Sequence, residues 1–151
     1  MRLAVVLSVS LILFAFCAGV YAKSMPKASS PPVKVVDGME YFVFSESDFN
    51  NGQARYYNVK AGGKTVRFFL AKAKDGVVRA AFDACDVCYK AKKGYRQDGD
   101  FMICVNCGQR FRLDKINILT GGCNPSALKR EFKEGMILID KKDVAAGSHY
   151  F

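Results

Sequence analysis

Five cysteines constrain this chain more than any other feature. Cys85 and Cys88 form one C-x2-C pair, Cys104 and Cys107 form a second after 15 intervening residues, and Cys123 follows after 15 more. Two residues between thiols let one tight turn aim both sulfurs at a single ion, and a second such turn completes a tetrahedron. Gly108 directly after Cys107, and Gly121-Gly122 before Cys123, free the backbone to bend sharply and to offer N–H groups to sulfur. The stretch from Tyr89 to Ile103 must fold back on itself for the pairs to meet. The spacing predicts a metal lobe in which Cys85, Cys88, Cys104 and Cys107 surround one centre. Cys123 is then close enough to join them or to replace a ligand.

Other uses of the thiols fit less well. A disulfide framework would leave one of these five unpaired. A thioredoxin-like pair needs an electropositive setting, whereas Asp83 and Asp86 flank Cys85 with negative charge that raises a thiol pKa and favours a cation instead. Covalent c-type haem needs His after the second Cys of a pair, and Tyr89 and Gly108 stand there. Metal binding remains, with zinc, iron, an iron–sulfur cluster and cuprous copper all compatible with thiolates. A closed four-Cys zinc site would be structural, a ribbon-like module that catalyses nothing and serves partner binding. Cys123 argues mildly against that, because four ligands already satisfy zinc.

No nucleophile elbow, P-loop or dinucleotide fingerprint is present, so the chain is not expected to be an enzyme. Asp98-Gly99-Asp100 reads as a turn ahead of the strand Phe101-Met102-Ile103, not as a catalytic carboxylate pair. Met102, Tyr89 and Tyr95 read as packing. The single histidine, His149, reads as a solvated residue near the C-terminus.

The first 22 residues read as an export signal, with Arg2, an apolar run from Leu3 to Phe16, and Val20-Tyr21-Ala22 before the cleavage point. Uncut, Leu3 to Ala22 is just long enough to anchor the protein in a bilayer. Cys17 is a poor lipidation site because bulky Phe16 precedes it. Residues 23–34, with Pro26, Pro31, Pro32 and three serines, read as a Pro/Ser-rich linker, and residues 35–151 as the metal-binding domain. The formal charge of +9 would suggest nucleic acid in a cytoplasmic protein. Outside the cytoplasm that partner is missing, and the scattered lysines suit solubility, acidic partners or an anionic membrane surface.

The folded part is expected to be α+β, mostly β: a small antiparallel meander with a cysteine-rich, zinc-ribbon-like lobe. Strands are predicted at Tyr41–Phe44, Arg55–Val59, Thr65–Lys72, Val77–Asp83 and Met136–Ile139. Gly62-Gly63 and Asp75-Gly76 make the hairpin turns. Alternation puts Val66, Phe68, Leu70, Val78, Ala80 and Phe82 in the core. Short helices are predicted at Ala127–Glu134 and Lys142–Ala146.

Longer runs then become recognisable. Arg79-Ala80-Ala81-Phe82-Asp83-Ala84-Cys85-Asp86-Val87-Cys88-Tyr89 is followed by Lys93-Gly94-Tyr95-Arg96-Gln97-Asp98-Gly99-Asp100 and Cys104-Val105-Asn106-Cys107-Gly108. Phe111, Ile116-Asn117 and Gly121-Gly122-Cys123-Asn124-Pro125 complete a pattern that resembles the FtrD-like family from about Arg55 to Phe151. That family is described as membrane iron–sulfur proteins of a bacterial ferrous-iron transport system. The resemblance implies iron or an iron–sulfur cluster on Cys85, Cys88, Cys104, Cys107 and Cys123. It also implies electron transfer beside a periplasmic iron oxidase and an iron permease, with periplasmic or inner-membrane placement. No twin-arginine pair precedes the apolar run. A Sec-type route carries an unfolded chain, which favours a metal ion captured after export over a cluster assembled beforehand.

Overall fold

The computed structural model describes residues 28–36 and 38–151. The predicted export signal, and residues 23–27 of the predicted linker, lie outside the described residues. The molecule is built around an antiparallel meander of β3 (Arg55–Ala61), β4 (Lys64–Lys72) and β5 (Val78–Phe82), in register at Tyr57↔Phe68 and Phe68↔Phe82. Its turns fall where expected. Gly62 and Gly63 both take positive φ, and Asp75 Oδ1 accepts the Val77 N–H at 3.1 Å to close the next turn.

This sheet is buried on both faces. Phe68, Leu70, Ala80 and Phe82 point into one core, against Phe42 and Phe44 of β2 (Met39–Ser45) and Ile137 and Ile139 of β10 (Met136–Asp140). Those two strands pair centrally in a sheet of order β1-β2-β10-β9, with β1 at Val33–Val36 and β9 at Glu131–Lys133. The opposite face of the meander, Phe69, Ala71 and Ala81, meets Tyr95, Met102 and Cys104 of a third sheet. That sheet comprises β6 (Tyr95–Asp98), β7 (Phe101–Cys104) and β8 (Arg110–Arg112), and it is the cysteine lobe's own scaffold. The unbroken apolar run Phe68-Phe69-Leu70-Ala71 follows from two-sided burial.

Two expectations need adjustment. Ala127–Glu134 is not a helix: Ala127 bridges to Ala81, the Leu128 N–H donates to the Ala80 carbonyl at 3.1 Å, and β9 follows. An extended chain here satisfies the outer edge of β5, which a helix, bonding only to itself, would leave open. The later part of the Pro/Ser-rich segment is also docked. Ser29 pairs with Tyr57, Pro31 is buried, and the Val43 N–H donates to the Pro32 carbonyl at 3.1 Å. The other predicted helix forms as α1 (Lys141–Ala146), where Asp140 accepts the Lys142 N–H at 2.7 Å.

Candidate metal centre

Three chain segments deliver the thiols. The first is the exit of β5, where the Asp83 N–H still donates to the Arg67 carbonyl at 2.9 Å before the chain turns at Cys85. The Cys88 N–H then donates to Cys85 Sγ at 3.2 Å, the backbone-to-sulfur bond that a C-x2-C turn provides. The second is the exit of β7. The Cys104 N–H donates to the Gln109 carbonyl at 3.0 Å and the Gly108 N–H to the Cys104 carbonyl at 2.8 Å, closing a tight loop. The Val105 N–H reaches the Gly94 carbonyl at 2.9 Å, which ties this loop to the segment after the first pair. The third is the Gly121-Gly122-Cys123 bend, held by the Tyr95 hydroxyl, which donates to the Cys123 carbonyl at 2.6 Å. Just beyond it, the Ser126 N–H donates to the Ala84 carbonyl at 2.9 Å.

All five described cysteines are free thiols and all five converge. Their grouping differs from the expected four-sulfur set. Cys85, Cys88 and Cys104 have sulfurs within 4.8 Å of one another, and so have Cys88, Cys107 and Cys123. Cys123, expected close enough to join or replace a ligand, stands 3.7 Å from Cys88, sulfur to sulfur. Solvent access grades across the site: Cys85 and Cys104 are each 1% exposed, Cys88 and Cys123 half-buried, and Cys107 exposed. Burial pushes the Cys104 thiol up to about 11, while the Gln109 backbone N–H holds the Cys107 thiol below its ordinary value. Asn106 Nδ2 donates to Cys88 Sγ at 3.4 Å, a further source of positive potential for a thiolate.

A frame that the cysteine spacing does not announce holds these loops. Asp83, 4% exposed, accepts the Tyr95 N–H through Oδ1 at 2.6 Å and lies 3.6 Å from the Arg67 guanidinium. Burial raises its carboxyl to about 6, opposed by the Tyr95 hydrogen bond and by Arg67. The Tyr56 hydroxyl donates to the Tyr95 carbonyl at 3.0 Å, which fixes the strand beside Cys104. Asp86 accepts the Tyr150 hydroxyl at 2.6 Å. Both carboxylates flanking Cys85 are therefore engaged in bracing. From the sequence, Asp83 reads as electrostatics and Tyr95 as packing. The signal that could have found them is their place in the same distinctive runs as the thiols, together with Gly94 and Asn117. Met102 is packed in the core as expected, and His149 is exposed, its Nδ1 2.9 Å from the Ala146 carbonyl.

A family model described as "membrane iron-sulfur containing protein FtrD-like" matches residues 49–151. The chain belongs to the FtrD-like family. The matched stretch contains every cysteine of the centre and the residues that brace it. Among curated proteins no match is found. Among solved structures, the quaternary ammonium Rieske monooxygenase CntA, in complex with an inhibitor, is similar at a TM-score of 0.44 and 16% identity over 78% of this chain. The similarity spans 32% of that structure. The iron and sulfide implied by the FtrD-like description suit the donor set. Both ligand groups found among the described residues are all thiol, the chemistry that iron–sulfur centres and thiophilic ions take. Among the described residues no helix is long and apolar enough to cross a membrane.

Proposed function

We propose that this FtrD-like chain is an exported, cysteine-ligated iron protein that carries electrons or iron as an accessory of bacterial iron uptake. The observation that carries the reading is the convergence of five free thiols at one graded, partly open site, with no imidazole or carboxylate in either ligand group. Cys85, Cys88, Cys104, Cys107 and Cys123 would hold the iron. Bound there, it would supply a one-electron couple, tuned by the N–H groups of Cys88 and Asn106 aimed at sulfur. The protein's own work is to hold the sulfurs, to keep Cys85 and Cys104 dry, and to leave Cys107 at the surface.

Exposed apolar side chains in the same loops support a partner-facing role. Val87, between Cys85 and Cys88, is 63% exposed, and Val105, Ile118 and Leu119 are exposed too. An iron permease and a periplasmic iron oxidase would be its partners, as the resemblance in the sequence implies. The chain would be no enzyme in its own right, and it would act in the periplasm or at the inner membrane. The test is metal and sulfide analysis of the full chain, purified anaerobically from its native compartment without added metal. Stoichiometric iron with visible absorption that bleaches on reduction supports the reading; colourless protein carrying one zinc would overturn it. A structural zinc site is the second reading, favoured by the Cys88 N–H to Cys85 Sγ bond that a zinc knuckle would share.

A further inference from the structure

The second cysteine pair spans two sulfur groups. Cys85 and Cys88 group with Cys104, and Cys107 groups with Cys88 and Cys123 while still interacting with Cys104. Here Cys88 is the one thiol that belongs to both groups.

Each group has the size that an ion needs. Metal–sulfur bonds of about 2.3 Å put three ligating sulfurs roughly 4 Å apart, and the sulfurs within each group lie inside 4.8 Å. A thiolate sulfur has lone pairs enough to bind two ions at once. Cys88 sits where a bridge requires it, half-buried between a closed side, Cys85 and Cys104, and an open side, Cys107 and Cys123. Its sulfur receives the Asn106 amide at 3.4 Å and lies 3.7 Å from Cys123 Sγ. We infer that the five thiols form two three-sulfur metal sites sharing the Cys88 sulfur, an inner site closed to water and an outer site open to it, for two thiophilic cations.

The charge balance favours two ions over one. Five thiolates around a single divalent ion would leave three uncompensated negative charges in a partly dry site. Two divalent ions reduce that to one, which nearby N–H groups can offset. The inference rests on the thiolate-centre reading above and goes beyond it by giving the centre two compartments and an order: Cys107 and Cys123 meet incoming metal first, and Cys88 links them to the buried pair.

Cobalt(II) is a suitable probe, because its thiolate complexes absorb in the visible and its unpaired spins report a bridge. The full chain, reduced and metal-free, is titrated with cobalt(II) and followed by absorption and by electron paramagnetic resonance. The expected result is two equivalents bound, with the paramagnetic signal rising during the first and falling during the second, as the shared sulfur couples the two ions. Cys107→Ser and Cys123→Ser should each reduce binding to one equivalent whose signal persists. Saturation of the unaltered chain at one equivalent would overturn the shared sulfur and leave the thiolate centre standing. Two equivalents with a doubled signal would overturn the bridge as well, and no binding at all would remove both readings. The unaltered chain decides these outcomes even if a variant fails to fold.

Discussion

Asp83 is a carboxylate held nearly out of water two residues from the first thiol, and it shows how much the centre depends on residues that need not touch a metal. Its Oδ1 accepts the Tyr95 N–H, and the other carboxylate oxygen faces Arg67. Gly94 packs so closely on it, at φ +65°, that a Cβ there would fall inside the carboxylate. Gly94→Ala should therefore cost about 2–4 kcal/mol, combining left-handed backbone strain with overpacking, measured by urea unfolding of the metal-free chain. A pH effect follows from the same residue. Its folded pKa of about 6 lies above the ordinary aspartate value, so the folded state binds the proton more tightly. The contribution is fully present below about pH 4 and is lost as pH rises through about 6, on the order of 3 kcal/mol in the metal-free chain. Asp83→Asn keeps an acceptor for Tyr95 and should flatten that dependence; an unchanged slope would mean that another group titrates. Nothing in the C-x2-C spacing points to Asp83, because its role comes from a strand 12 residues further on.

Among the elements, β5 carries both the core and the first thiol. Its inward side chains were legible from strict alternation, and Phe82 indeed packs beside Phe68, its cross-strand partner. Phe82→Ala should cost on the order of 3–5 kcal/mol by leaving a cavity, and thermal unfolding would read it. Less legible was what fastens the outer edge of β5. Asn117, at φ +67°, accepts the Ala80 N–H at 3.0 Å and donates to the Ala80 and Leu128 carbonyls at 2.7 and 3.3 Å. Asn117→Ala would strand the partly buried Ala80 N–H and take a donor from the Leu128 carbonyl, while the Ala80 carbonyl keeps the Leu128 N–H, so it should lose about 1–3 kcal/mol. Hydrogen exchange at Ala80 should quicken in that variant, whereas a change confined to surface loops would refute the tether. The helix expected at Ala127–Glu134 failed for the same reason. Local propensity in that stretch competes with an open strand edge, and the edge offers bonds that the local pattern cannot register.

For the whole molecule, the consequence of metal should be unequal across the three sheets. The outer two-sheet core is closed by Phe42, Phe44, Phe68, Ile137 and Ile139, whereas the lobe of β6, β7 and β8 joins the meander through Tyr95, Met102 and Cys104. Chelation under reducing conditions should therefore speed hydrogen exchange in residues 85–123 while the paired β2 and β10 remain protected; uniform loss across the chain would contradict this division. A second expectation concerns export. N-terminal sequencing of the protein from its native host should begin at Lys23, and an intact Met1 in a soluble cytoplasmic fraction would refute it. The sequence by itself determined the strands of the meander, their turns, the inward side chains and the five thiols that would meet, because these depend on short-range periodicity and on spacings of two residues. Tertiary structure alone decided how the five sulfurs group, how near Cys123 stands to Cys88, and the bracing by Asp83, Tyr95 and Asn117. Each of these is set by how separate segments dock, and docking geometry depends on the packing of both faces of the central sheet, which no local pattern in the chain encodes.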